Sequence, residues 1–173
     1  SRKELTKDGV EEAIRQVLET GRRSERVLVI YLPDCHESIA GIIAGKVKER
    51  FYRPTIVLTD AEEGVKGSGR SIPGYHMFEE LCKVGELFTK FGGHPMAAGM
   101  SLPKENIQKL RRQLNDNCIL TAEDMIEKLS IDIAMPLQYI SEEFIEELKV
   151  LEPFGNGNSK PLFAERDFHV LQS

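Results

Sequence analysis

The sequence is poor in the features that mark several protein classes. It has only three cysteines in 173 residues, Cys35, Cys82 and Cys118. They are far apart and odd in number, so neither a disulfide framework nor a CxxC zinc site is indicated. No apolar run reaches the roughly 18 residues that a membrane span needs, and no signal peptide opens the chain. These absences favour a protein of the reducing cytoplasm with no membrane partner.

The chain also lacks an excess of basic charge. It has 23 Lys and Arg against 28 Asp and Glu, a formal net charge of −5. Proteins that coat DNA present a broad basic surface, because each neutralised phosphate releases counterions. The acidic balance argues against that class but permits a local basic groove on an acidic body. With 40% hydrophobic and 29% charged residues, the composition is that of a globular protein.

Hydrophobic periodicity predicts alternating helices and buried strands in the first half of the chain. Residues 3–19 and 37–51 place apolar side chains at helical spacing. Residues 26–32 and 55–59 are short apolar runs, typical of strands buried on both faces. The strand–helix–strand order predicts a parallel pair with a right-handed crossover. Residues 65–72, although rich in glycine, are an antiparallel neighbour of the second strand in this prediction.

The second half of the chain predicts further helices and a short β segment. Helical spacing recurs over residues 77–90 and 104–117, with a glycine-rich turn between them. Beyond Cys118 the pattern indicates a helix over 121–128, a strand over 131–135, a helix over 141–151 and a strand over 162–171. Two strands and a helix bury too little surface to be stable alone, which is typical of a second domain cut short. The predicted fold class is α/β, a mixed β-sheet flanked by helices and followed by a partial β segment.

The glycine-rich turn has the sequence FGGHPMAAGMS, Phe91 to Ser101. Gly92 and Gly93 permit positive φ, so consecutive N–H groups could form a concave nest for an anion. His94 adds a donor for a phosphate oxygen. The alternative is a tight turn between a helix and a strand, with a histidine on the surface.

A second candidate site is the segment KGSGRS, Lys66 to Ser71. The hydroxyl of Ser68 and the guanidinium of Arg70 suit contacts to phosphate, because arginine offers a fork of donors that matches phosphate oxygens. The alternative is an exposed edge strand with a glycine bulge. The segment is not a P-loop, since the order GxxxxGK[ST] is absent.

His36 lies just past the first strand, in the segment Asp34-Cys35-His36. Asp34 and His36 could be metal ligands, but no cluster of Asp and His elsewhere completes a coordination shell. A histidine at a helix N-terminus facing a phosphate is the favoured interpretation, with Asp34 or Ser38 as the N-cap. Gly41 and Gly45 in the following helix predict close packing of that helix on the sheet.

A complete catalytic set is missing from the sequence. No pair of carboxylates, no Ser-His-Asp order and no activated cysteine stands out. A phosphodiesterase would need a metal centre built from several Asp and His residues. The sequence therefore predicts that this chain is the substrate-holding part of an enzyme and not a complete enzyme.

Four segments together resemble one family. They are HESIAGIIAGKVKERFYRPTIVL, GSGRSIPGYHMFEEL, FGGHPMAAGMSL and LEPFGNGNSKPLF. In this order and spacing they resemble the RecJ single-stranded-DNA-specific exonucleases of the DHH phosphoesterase superfamily. The resemblance implies that residues 1–23 end a connecting helix and that residues 24–119 are the DHH-associated domain. Residues 120–173 would be a linker helix and the truncated start of an OB-fold.

The resemblance carries roles over to individual residues. It implies that the DNA phosphates near the scissile bond are contacted by Ser68, Arg70, Gly92, Gly93 and His94. His94 and Arg70 would be catalytic, offsetting charge that develops on the phosphate oxygens. His36 matches a family histidine that follows a tryptophan in many relatives, which implies a contact with the phosphate; here Cys35 stands in place of that tryptophan.

The implied reaction is 5′→3′ hydrolysis of single-stranded DNA in repair and recombination. It would depend on Mn²⁺ or Mg²⁺ bound by a domain N-terminal to this chain, so the chain alone is expected to be inactive and to bind no metal. The implied partners are single-stranded DNA and, for the intact enzyme, a single-strand-binding protein. Two alternatives stay open: an oligonucleotide or cyclic-dinucleotide phosphodiesterase of the same superfamily, and a non-catalytic nucleic-acid-binding module.

Overall fold

The computed structural model of the chain describes residues 2–155 and 157–167. These residues form two compact units that divide between Glu127 and Lys128, and each is described by itself. Within the described residues, no helix combines the length and the apolar character that crossing a membrane requires.

The first unit is an α/β structure, as predicted. Its helices are α1 (Arg2–Glu19), α2 (Glu37–Phe51), α3 (Met77–Cys82) and α4 (Ile107–Asn117). Its strands are β1 (Leu28–Tyr31), β2 (Thr55–Asp60), β3 (Val65–Arg70), β4 (Lys90–His94) and β5 (Ala97–Leu102). Short 3₁₀ turns occupy Arg22–Ser24, Gly85–Leu87 and Lys104–Asn106.

The five strands form one mixed sheet in the order β1-β2-β3-β5-β4. β1 and β2 are parallel around α2, and β3 is antiparallel to β2, which confirms both predictions. β5 then pairs antiparallel with β3 and with β4, so β4 is an edge of the sheet. The fold class, a mixed sheet flanked by helices, is confirmed.

Each face of the sheet carries its own core. On one face, Leu28, Ile30 and Val57 pack with buried residues of α1 and α2. On the other, Met100 and Leu102 of β5 pack with the inner sides of α3 and α4. α2 lies on β2 and β3. On its side of the sheet, residues of β4 and β5 are exposed to solvent.

One predicted helix is shorter than expected, and another is absent. Residues 77–90 form a helix only as far as Cys82, and Gly85–Leu87 is a 3₁₀ turn. Gly85 disfavours helix, and residues from Lys90 onward pair with β5 instead. Residues 121–128 form turns rather than a helix, closed by the Asp124 carboxylate, which accepts hydrogen bonds from the backbone N–H and the hydroxyl of Thr121.

The second unit is small, and many of its apolar side chains are exposed. It contains β6 (Ile133–Ala134), α5 (Glu142–Leu148) and β7 (Phe163–Ala164), with 3₁₀ turns at Leu137–Tyr139 and Lys149–Leu151. β6 and β7 are parallel, and Phe144 meets Phe163 edge to face at 5.5 Å between ring centroids. The predicted strands are thus present but short. Residues 168–171 of the last one lie outside the described residues.

Candidate phosphate-binding site

Arg70 and His94 lie in one row across the sheet. Ala97 of β5 is the direct register partner of both, on its two sides. Residues opposite one another on neighbouring strands project from the same face, so all three side chains share a face. With neighbouring strands about 4.8 Å apart, the Cα atoms of Arg70 and His94 are about 10 Å apart. An arginine and a histidine can therefore approach one anion above Ala97.

Two further rows continue this face. Ser68, Gly99 and Gly92 are register partners, as are Lys66, Ser101 and Lys90. We call these three rows the open sheet face, because Gly92, His94, Gly99 and both lysines are exposed. Lys66 forms an ion pair with Glu37 at 3.2 Å, whereas Lys90 has no ion-pair partner among the described residues. The face thus combines a floor of small side chains with cations along its margins.

His94 is held in one orientation and one tautomer. Its Nδ1 accepts a hydrogen bond from the backbone N–H of Met96 at 3.3 Å. A backbone N–H can only donate, so in the neutral ring Nε2 carries the hydrogen. The exposed side chain therefore presents a donor at Nε2, which suits a phosphate oxygen.

The turn that carries His94 is fixed by its surroundings. The carbonyl oxygen of Pro95 accepts from the N–H of Met77, and that of Met96 from the N–H of Ser71, both at 2.9 Å. The hydroxyl of Ser71 is itself buried and donates to the carbonyl oxygen of Tyr75 at 2.6 Å. A binding group on such a braced turn needs little reorganisation when a ligand arrives.

The guanidinium of Arg70 is anchored at one nitrogen and available at the others. Nη1 donates to the carbonyl oxygen of Gly69 at 2.8 Å, and the residue is half-buried. Arginine has five N–H donors, so most remain for a ligand. Ser68, two residues before it on β3, faces the same side and is also half-buried.

The predicted anion nest at Gly92 and Gly93 is wrong. Both belong to β4, and the glycines with positive φ are Gly21, Gly64, Gly74 and Gly157. Their backbone faces β5 in a ladder, with Gly92 opposite Gly99 and Gly93 opposite Ala98. The segment is a β-hairpin rather than a turn between a helix and a strand. Contact of the two glycines with substrate stays a prediction. It now depends on the room that the absence of side chains leaves, not on a nest of N–H groups.

The two glycines differ in what a side chain would meet. A Cβ on Gly93 would lie 2.7 Å from the Cα of Ala98, whereas one on Gly92 would meet nothing within 4 Å. Gly93→Ala is therefore expected to lower the free energy of unfolding by about 1–3 kcal/mol, because backbone must shift. Gly92→Ala should stay within about 0.5 kcal/mol of the wild type. Denaturant unfolding checks this, and equal losses in both variants would contradict it.

His36 lies apart from the Arg70–His94 row. It is the N-cap of α2, where its Nδ1 accepts from the N–H of Ser38 at 3.1 Å, so the predicted caps Asp34 and Ser38 are wrong. Its neighbour Glu37 pairs with Lys66, at the opposite end of the open sheet face from Arg70. No described contact joins His36 to Ser68, Arg70 or His94. Its role at a phosphate stays a prediction.

The described residues contain no metal-binding cluster. No group of three or more His, Cys, Asp or Glu side chains in residues 2–155 and 157–167 could hold a metal ion. Burial raises the pKa of the Cys35 thiol beside His36, which disfavours a reactive thiolate. What the site can do is bind and polarise an anion.

Lys90 and Ser101 are members of the open sheet face that sequence reasoning missed. The signal was present, because Lys90, Gly92 and His94 alternate with period two, as do Ala97, Gly99 and Ser101. The glycines favour a turn on local propensity, and this preference masks the alternation.

Comparison with known proteins identifies both parts of the chain. The model of the DHHA1 domain matches residues 24–119, which is more than half of the chain. The model of the RecJ OB domain matches residues 131–173.

The relatives are exonucleases by name. The chain is 40% identical over 164 residues to the single-stranded-DNA-specific exonuclease RecJ of Bacillus subtilis (strain 168), covering 92% of this chain and 21% of that protein. It is 34% identical over 182 residues to RecJ of Salmonella typhimurium (strain LT2), covering 99% and 31%. The chain thus spans between a fifth and a third of the length of these two relatives.

Solved structures agree on the fold. RecJ from Thermus thermophilus in complex with Mg²⁺ matches with a TM-score of 0.80 and 23% identity, over 94% of this chain and 25% of that one. An exonuclease RecJ bound to manganese matches with a TM-score of 0.55 and 22% identity, over 64% and 28%. Because the two family models match residues 24–119 and 131–173, the chain belongs to the DHHA1 family and carries that domain in combination with the RecJ OB domain.

Proposed function

We propose that this chain is the substrate-binding portion of a metal-dependent single-stranded-DNA 5′→3′ exonuclease of the RecJ type. The observation that carries the proposal is the row Arg70–Ala97–His94 on the open sheet face, in a chain whose relatives are named single-stranded-DNA-specific exonucleases. The proposed substrate-binding residues are Ser68, Arg70, Gly92, Gly93 and His94.

The geometry supports contacts of Arg70 and His94 with two sides of one phosphate. A phosphate above Ala97 would receive the fork of Arg70 N–H groups from one side and the Nε2–H of His94 from the other. Both groups are held before the ligand arrives, so they favour the extra negative charge that hydrolysis places on the non-bridging oxygens. The small residues Gly92 and Gly99 leave room for the sugar–phosphate chain along the floor.

The chemistry of bond cleavage is proposed to depend on Mn²⁺ or Mg²⁺. The described residues do not fit a metal site, so the ions would be bound by another part of the intact enzyme. When bound, they would supply an activated water. No step of that chemistry is derived from this chain, whose residues bind and orient the phosphate.

The remaining assignments belong to the same proposal. Residues 1–23 would end a connecting helix, residues 24–119 would form the DHH-associated domain, and residues 120–173 would be a linker and the start of the OB-fold. The intact enzyme would act in the cytoplasm in DNA repair and recombination, with a single-strand-binding protein as partner.

The test is hydrolysis by the full-length protein. With Mn²⁺ it is expected to release mononucleotides from the 5′ end of a labelled single-stranded oligonucleotide, and little from a blunt duplex. The chain 1–173 alone should release none. Preferential hydrolysis of dinucleotides or cyclic dinucleotides would favour the phosphodiesterase alternative, and binding of DNA without hydrolysis would favour a non-catalytic module.

A further inference from the structure

Arg70 occupies space that a side chain on α2 would fill. A Cβ built on Gly41 would lie 2.6 Å from Nη2 of Arg70 and 3.3 Å from its Cζ. It would also lie 3.5 Å from the Cβ of Ser68. The guanidinium is therefore confined between the carbonyl oxygen of Gly69, which accepts from Nη1, and the bare backbone of Gly41.

Glycine at position 41 destabilises α2, and the backbone conformation there does not require a glycine. Gly41 is inside α2, and it is not among the glycines with positive φ. Glycine inside a helix is less stable than alanine, because its backbone loses more conformational freedom on folding. One turn later Gly45 bears the same cost, but a Cβ there would meet nothing within 4 Å. The predicted close packing of the helix thus holds for Gly41 and not for Gly45.

We infer that Gly41 is a positioning residue for the phosphate contact: its missing side chain sets where the Arg70 guanidinium lies. The inference rests on the proposed function of Arg70. A methyl group at position 41 would meet the far end of a flexible side chain, so the guanidinium would move while the helix and the sheet stay in place. Displacement of a binding group by about 1 Å can cost on the order of 10²-fold in rate.

The two glycines of α2 supply a matched pair of variants in the full-length protein. Gly41→Ala and Gly45→Ala should both keep or raise the melting temperature, because alanine favours helix. Only Gly41→Ala is expected to lower kcat/KM on single-stranded DNA, by about tenfold or more. A crystal structure of this variant should show the Arg70 guanidinium displaced, with the α2 backbone unchanged.

A double variant separates positioning from a general structural role. If Gly41 acts through Arg70, then Gly41→Ala adds little to the loss already caused by Arg70→Ala. Losses that multiply would overturn the inference, as would wild-type activity in Gly41→Ala. Those two results leave the proposed function intact provided that Arg70→Ala alone is impaired. Wild-type activity in Arg70→Ala would refute the phosphate role and this inference together.

Discussion

Replacing Arg70 with alanine in the full-length protein is expected to lower kcat/KM for single-stranded DNA by about 10²-fold or more. The guanidinium is the one permanently charged group in the row Arg70–Ala97–His94, and its Nη1 donates to the carbonyl oxygen of Gly69. Because it would stabilise charge that develops during hydrolysis, the loss should appear in kcat as well as in KM. Single-turnover and steady-state kinetics with Mn²⁺ measure both.

Arg70→Lys and Arg112→Ala are the controls for this prediction. Lysine keeps the charge but not the planar fork, so it should recover only part of the activity. Arg112 is exposed on α4, which packs against the opposite face of the sheet, so its removal should leave kcat/KM unchanged. Metal binding measured by calorimetry should be the same in all three variants. Near-wild-type turnover by Arg70→Ala would refute the assignment.

The order of elements around Arg70 could be predicted from the sequence because it depends on local pattern. Two apolar β-branched runs separated by a helical period define β1, α2 and β2, and the crossover rule makes the pair parallel. β3 can be predicted despite its glycines, since a short loop after β2 favours an antiparallel neighbour. The roles proposed for Ser68 and Arg70 come from the family resemblance, because periodicity alone leaves them open.

The hairpin of β4 and β5 could not be predicted in the same way. Gly92 and Gly93 favour a turn on propensity, but the segment is held extended by pairing with β5 and by the packing of Phe91 against Phe88, at 4.9 Å between ring centroids. That is tertiary context overriding local preference. The role of Gly41 was equally hidden, because its contact with Arg70 joins residues that are far apart in the chain.

Replacing His94 with alanine is the second variant expected to lower kcat/KM by about 10²-fold, because a donor to the phosphate is lost. The fixed tautomer allows a finer prediction from two amide substitutions. The side-chain nitrogen of glutamine can reach the place of Nε2, whereas asparagine is shorter and matches Nδ1. His94→Gln is therefore expected to keep part of the activity. His94→Asn can still accept from the N–H of Met96, so it should keep the turn but lose the activity as alanine does.

The order of the three His94 variants distinguishes a role at the substrate from a role in the fold. If His94 only braced the turn through Met96, asparagine would rescue activity and glutamine would not, because the brace uses Nδ1. If Nε2–H contacts the phosphate, the order is reversed: glutamine keeps part of the activity and asparagine does not. The asparagine variant should then be the more thermally stable of the two although it is inactive. Melting temperatures and kcat/KM measured on the same preparations decide between them. Equal activity in the asparagine variant and the wild type would show that the row Arg70–Ala97–His94 is not where the phosphate is polarised.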